Sequence, residues 1–261
     1  MFFLYNLALA LASLILVPYY LLKGKYRGTL APRLGRLDPH LQQTGPRAIW
    51  LHAVSVGEVL SCQELITRLR ARFPGVPLLL STTTSTGQKM AQEKLGTLVD
   101  GVFYAPLDLP FAVRRTLAQI RPRLVIILET EIWPNLFREV KRWGAGLLMV
   151  NARLSDRAAP RYRRFRFFFS RVLGLADAIL AQSPLDRQRF LDAGAPADIV
   201  ESGGNLKFDV PSPTTAGAAG VRTFLERLEP RAVLLAGSTR EGEEAQVLAA
   251  VRALSRQSEG L

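Results

Sequence analysis

Short apolar runs recur along the chain at 48–54, 77–82, 102–105, 124–128, 147–150, 178–181 and 199–200, each followed by a more polar, amphipathic stretch. Runs this short and this continuously apolar fit strands covered on both faces. The intervening stretches read as helices. The clearest covers 58–73, with Cys62, Ile66, Leu69 and Phe73 spaced by three or four residues and Pro74-Gly75 stopping it. Strand and helix in alternation predict an α/β fold with a doubly wound parallel sheet. Such sheets bind ligands beyond the carboxyl ends of their strands, so the segments that follow each run carry the candidate chemistry.

Two departures frame this pattern. Residues 1–22 are almost wholly apolar, interrupted by Asn6, Ser13, Pro18 and tyrosines, and that is enough helix to cross a bilayer. A signal peptide would carry basic residues before the apolar run, and a small-residue cleavage site after it; the first basic residues here, Lys23, Lys25 and Arg27, follow it. An uncleaved anchor is therefore expected, with 23 onward on the cytoplasmic side; a signal peptide and a buried core helix are the competing readings. At the other end, 211–220 is rich in Pro, Gly and small residues and reads as a linker. A new strand over 232–236 and a helix over 243–254 then begin a second unit, which 221–261 is too short to complete.

Charge narrows the partners. The formal net charge is +12, which favours an anionic partner. Seven arginines lie between Arg153 and Arg171, interleaved with Tyr162, Phe165, Phe167, Phe168 and Phe169 and opposed only by Asp156. That mixture suits a lipid headgroup interface, and equally a core helix with a solvated basic face. No nucleic-acid motif accompanies the charge, so nucleic acid is not the expected partner. The single cysteine, Cys62, cannot form an intramolecular disulfide.

Several strand ends are chemically rich. The first run leads through His52 to Ser55, Gly57 and Glu58, where a carboxylate in a first helical turn could take a proton from a hydroxyl or simply cap the helix. His52, inside the run, reads as a core histidine. The second run leads into 81–87, Ser-Thr-Thr-Thr-Ser-Thr-Gly, in which Thr83 and Ser85 could meet sugar or phosphate oxygens or serve as caps. The fourth ends in Glu129, Glu131, Trp133 and Asn135, a candidate sugar-binding edge, with packing of Trp133 beside Pro134 as the alternative. After the fifth come Asn151 and Arg153, and after the last comes Lys207. Dinucleotide and P-loop signatures, a hydrolase elbow and a zinc-ligand spacing are all missing.

Taken in order, His-Ala-Val-Ser-Val-Gly-Glu, Ser-Thr-Thr-Thr-Ser-Thr-Gly, Glu-Thr-Glu-Ile-Trp-Pro-Asn, Asn-Ala-Arg-Leu-Ser-Asp-Arg, Gly-Asn-Leu-Lys-Phe-Asp and Gly-Ser-Thr-Arg-Glu-Gly-Glu-Glu resemble the bacterial 3-deoxy-D-manno-octulosonic acid (Kdo) transferases. The resemblance implies a GT-B enzyme: a Rossmann-like acceptor domain over 23–210, behind an anchor helix at 1–22, and a second Rossmann-like, donor-binding domain of which 221–261 is the start. It implies Glu58 as the base, with Kdo passing with inversion from CMP-Kdo to the 6′-hydroxyl of a lipid A precursor and no metal or other cofactor needed. Ser55, Gly57, Thr83, Ser85, Glu129, Glu131, Trp133, Asn135, Asn151 and Arg153 would then serve the acceptor side. Lys207, Ser238, Thr239 and Glu241 would serve the donor side. Arg240 stands where the family pattern leads one to expect a histidine. The resemblance further implies the cytoplasmic face of a bacterial inner membrane, with anionic lipid as a neighbour. A non-catalytic module that binds anionic lipid, and a GT-B transferase for another nucleotide sugar, are the alternatives.

Overall fold

The computed structural model describes residues 2–24, 28–42, 47–209, 216–230 and 233–257. Two units are present, 1–210 and 211–261. The first opens with α1 (Phe2–Leu22) and two short helices, α2 (Leu30–Arg33) and α3 (Pro39–Gln42). The sheet domain then runs β1 (Ala48–His52), α4 (Val56–Ser61), α5 (Gln63–Arg72), β2 (Leu78–Thr82), α6 (Ser85–Leu95), β3 (Gly101–Tyr104) and α7 (Pro110–Ile120). It continues through β4 (Pro122–Leu128), α8 (Pro134–Trp143), β5 (Gly146–Ala152), α9 (Ala159–Arg164), α10 (Arg166–Leu173), β6 (Ala178–Ala181), α11 (Pro184–Asp192) and β7 (Val200–Ser202).

All seven strands pair in parallel in the order β3-β2-β1-β4-β5-β6-β7. The strands coincide with the apolar runs because both faces are covered. Every residue of β1 and β2 is buried. Alternation along β1 divides the core: Ala48 and Trp50 join the cluster that includes Val113, Phe137 and Phe190, while Ile49 and Leu51 join the one that includes Val59, Ile66 and Leu95. Chain order reverses between β1 and β4, so the ends of these two strands diverge into a crevice at the switch point.

The helix expected over 58–73 is two helices. Its first part begins earlier, at Val56, and the break falls at Cys62, whose backbone (φ −89°, ψ 0°) lies at the margin of the helical region and caps both pieces. The Cys62 thiol stays buried and bonds back to the Val59 carbonyl at 3.2 Å.

In the second unit, α12 (Ala216–Leu228) occupies part of the segment read as a linker, while 211–215 lie outside the described residues. The strand expected over 232–236 is not formed. Residue 232 is not described, and Val233, Leu234 and Leu235 are 60–88% exposed, with no strand among the described residues of this unit to pair with. The expected final helix is present as α13 (Glu243–Gln257).

Residues Phe2–Tyr20 are long and apolar enough to cross a membrane, with a mean hydropathy of 1.9. The basic residues Lys25 and Arg27 lie outside the described residues.

Candidate active site

The crevice between β1 and β4 receives the loop that leads from each strand into its helix. After β1, Ser55 caps α4 with its hydroxyl, accepting the Glu58 amide at 3.4 Å. The Glu58 carboxylate folds back over the same turn. One oxygen accepts the Val54 amide at 2.8 Å and the other accepts the Ser55 hydroxyl at 2.8 Å. This is a close relative of the capping box, and it fixes the carboxylate at the mouth of the crevice. Glu58 is 7% exposed, and burial raises its pKa despite those hydrogen bonds, with the negative charge of Glu129 adding to the rise.

After β4 the backbone turns sharply, and Glu129 adopts φ +55°, a conformation that side-chain-bearing residues seldom take. Its amide is held by the Val150 carbonyl of β5 at 3.1 Å. Glu131 follows, its carboxylate accepting the indole N–H of Trp133 at 2.6 Å. Burial raises the Glu131 pKa, and Glu58 and Glu129 raise it further. Three carboxylates from two strand ends thus share one electrostatic neighbourhood. Tyr162 of α9 adjoins it, its phenol pKa raised by burial and by Glu131. Trp133 roofs the buried ring of His52, edge to face at 5.0 Å. Burial lowers the His52 pKa to about 4, so the ring is neutral, and its Nδ1 pairs with the Ser81 hydroxyl at 2.9 Å. The core reading of His52 fits this packing.

The remaining residues named from sequence divide by exposure. Ser85 and Arg153 are exposed and Thr83 is half-buried at neighbouring strand ends, while Lys207 is exposed after β7. Asn135 and Asn151, expected to touch an acceptor, are 0% and 1% exposed. The Asn135 amide donates at 2.6 Å to both Asn6 and the Asp108 carbonyl, and the Asn151 side chain accepts the Leu206 amide at 3.2 Å. Each side chain is bonded within the fold through one amide atom only: Asn135 Oδ1 and Asn151 Nδ2 are buried without a hydrogen-bond partner among the described residues. Gly57 stands one residue before Glu58 in α4. Its φ is not positive, and a Cβ there would meet only the Ser55 hydroxyl oxygen at 4.0 Å, so the turn does not require glycine; what glycine leaves is open space beside Glu58. The glycine that the packing does require is Gly87, where a Cβ would lie 2.8 Å from the Thr84 hydroxyl oxygen and 3.0 Å from the Val54 carbonyl. In the second unit, Thr239 donates to Glu244 at 2.6 Å and Glu243 caps the Arg240 amide at 2.9 Å, while Ser238 and Glu241 are exposed.

Sequence reasoning missed two residues that shape the site. Asp108 accepts the amides of Asn135 and Leu136 at 3.1 and 2.7 Å, holding the start of α8 beneath Glu131 and Trp133. Arg33, 4% exposed, reaches the Thr83 carbonyl at 2.5 Å and lies over the Tyr104 ring at 4.6 Å. The first carried a faint signal, an acidic residue just before a helix-starting Pro110; the second carried none.

A doubly wound parallel sheet with an acidic cluster at its switch point defines the first unit as a Rossmann-like domain of the GT-B type. A solved structure assigned as a UDP-N-acetylglucosamine 2-epimerase from Listeria monocytogenes shares the fold, with a TM-score of 0.52 at 16% identity over 83% of this chain and 61% of that one. The chain belongs to the 3-deoxy-D-manno-octulosonic-acid transferase (kdotransferase) family, whose N-terminal part matches residues 29–210. It is similar to the 3-deoxy-D-manno-octulosonic acid transferase of Haemophilus influenzae, 33% identical over 97% of this chain and 60% of that one. The Bordetella pertussis transferase is 34% identical over 88% of this chain and 54% of its own. A bifunctional glycosyltransferase/methyltransferase of Fusobacterium nucleatum is 32% identical over 94% of this chain and 38% of its own. The chain therefore spans roughly 40–60% of the length of these relatives.

Proposed function

We propose that the first unit is the acceptor half of a transferase that moves Kdo from CMP-Kdo to the 6′-hydroxyl of a lipid A precursor, with Glu58 as general base. The observation that carries this reading is the position of Glu58: a buried carboxylate with a raised pKa, fixed at the switch-point crevice. A base needs a pKa nearer the working pH than an ordinary carboxylate has. In the proposed step the Glu58 carboxylate takes the proton of the acceptor hydroxyl as that oxygen bonds to the anomeric carbon. The bond from that carbon to the CMP phosphate breaks with its electron pair, and attack from the opposite face gives inversion.

Ser55 holds the base in place, and Glu129, Glu131 and Trp133 form the wall against which the sugar hydroxyls rest. Thr83, Ser85 and Arg153 extend that wall. Lys207, Ser238, Thr239 and Glu241 are proposed donor contacts. The reaction is proposed to run without a metal, on the inner membrane's cytoplasmic face.

The test is Glu58→Gln in the full-length enzyme that carries this domain, assayed with CMP-Kdo and a tetra-acylated lipid A precursor. The loss expected is at least about 100-fold in kcat, in the range of general-base removal, with the thermal midpoint little changed. Unfolding with normal specific activity in the folded fraction would make Glu58 a cap and not a base. UDP-sugars offered beside CMP-Kdo test the donor.

A further inference from the structure

A helix that crossed the membrane and entered the domain from its C-terminal end would hold its first turn about 30 Å away, at the far face of the bilayer. In this structure the first turns of α1 are bonded directly to the domain. The Tyr5 hydroxyl donates to Asp108 at 2.7 Å, and the Asn135 amide donates to Asn6 at 2.6 Å. The Arg138 guanidinium lies 4.8 Å from the centre of the Phe2 ring, and the Tyr5 ring packs on Phe168 at 5.9 Å. Partly covered positions recur at Phe2, Tyr5, Asn6, Leu9, Ala12 and Ser13, one stripe at helical spacing. The opposite side is bare and apolar, with Phe3, Leu4, Leu11, Leu14, Ile15 and Leu22 between 56% and 83% exposed.

The neighbouring surface has the same character. Phe165 and Phe167 are 49% and 69% exposed, and an apolar cleft of about 590 Å³ runs between α1 and α10, lined by Leu4, Tyr5, Phe165, Phe167, Phe168 and Arg171 among others. Arg171 lines it, and Arg161, Arg163 and Arg164 of α9 and Arg166 of α10 are exposed on the same two helices. Bare rings and leucines rimmed by guanidinium groups match the boundary between acyl chains and anionic headgroups.

We propose that α1 is an in-plane, monotopic helix and not a bilayer span. Its covered stripe is bonded to the domain through Tyr5 and Asn6, its bare face lies in one leaflet of anionic phospholipid, and the acyl chains of that leaflet fill the cleft beside α10. The inference is independent of the sugar transferred: inactivity of the Glu58 variant and a misplaced N-terminus are separate failures.

Two measurements on the full chain in membranes decide it. A protease-cleavable tag placed ahead of residue 1 is cleaved from the same face at which a thiol introduced at exposed Arg72 (R72C) is labelled by an impermeant maleimide; cleavage only from the opposite face overturns the proposal. In flotation with vesicles of phosphatidylcholine and phosphatidylglycerol, the pair Leu14→Asp and Phe167→Asp lowers binding by more than about tenfold, since each replaces an apolar group buried in the leaflet with a charge. Unchanged flotation overturns the lipid-facing assignment even with the topology as stated.

Discussion

Glu58 has two duties that pull its proton in opposite directions. As a cap it is held ionised by the Val54 amide and the Ser55 hydroxyl, and as a buried group beside Glu129 it is pushed toward neutrality, with burial the larger influence. A base works only when ionised, so activity is present above the raised pKa and lost as pH falls through it. The acidic limb of the kcat/KM profile should therefore lie above the 4.5 of an ordinary glutamate. Glu129→Gln removes the neighbouring charge that adds to this rise and should move the limb to lower pH; a limb that stays in place would separate Glu58 from the rate. Sequence supplied the identity of Glu58 and both of its readings. It could not supply the neighbourhood, because Glu58 meets Glu129 and Glu131, and Glu131 meets Tyr162, only through the strand order.

Among the elements, the strands were legible and the clamps were not. A strand buried on both faces writes itself as a continuous apolar run, and β6 spans the residues expected of it, Ala178–Ala181. The break between α4 and α5 was hidden because the apolar spacing runs straight through Cys62. The ties of α1 to α8 were hidden for another reason: Tyr5 and Asp108 are 103 residues apart, and Asn6 and Asn135 are 129 apart. Burial raises the Asp108 pKa from 3.8 to about 6. The neutral form is favoured in the fold, so this contribution to stability is complete below about 3.8 and is lost as pH rises through about 6, roughly 3 kcal/mol in all. Asp108→Asn should flatten the dependence of the thermal midpoint on pH across that window; an unchanged slope would place the titration elsewhere. At the start of α4, Ser55→Ala should cost about 1 kcal/mol in chemical denaturation, as loss of an N-cap does, besides freeing the carboxylate it holds.

At the scale of the whole molecule, the alternation of runs was enough for a doubly wound sheet, but not for the place where its order reverses. That place depends on which crossover goes to which side, and no local pattern encodes it. In the second unit, Val233, Leu234 and Leu235 looked like a strand by composition, but a strand exists only in a pair. The proposal of a two-domain transferase makes two predictions here. The 261-residue chain alone should bind acceptor yet give no measurable transfer from CMP-Kdo, while the full-length enzyme should turn over and be indifferent to a chelator; loss of activity on chelation would bring a metal into the step.

The long sequence separation between α1 and its partners also sets an order of events during synthesis. At about 5–20 residues per second, α1 is complete many seconds before Asp108 and Asn135 are made. For that interval the apolar helix lacks the protein surface it will later bind, and a lipid surface can take its place. The nascent chain would thus be brought to the membrane by this helix, with the Tyr5 and Asn6 bonds able to close only once Asp108 and Asn135 have been made.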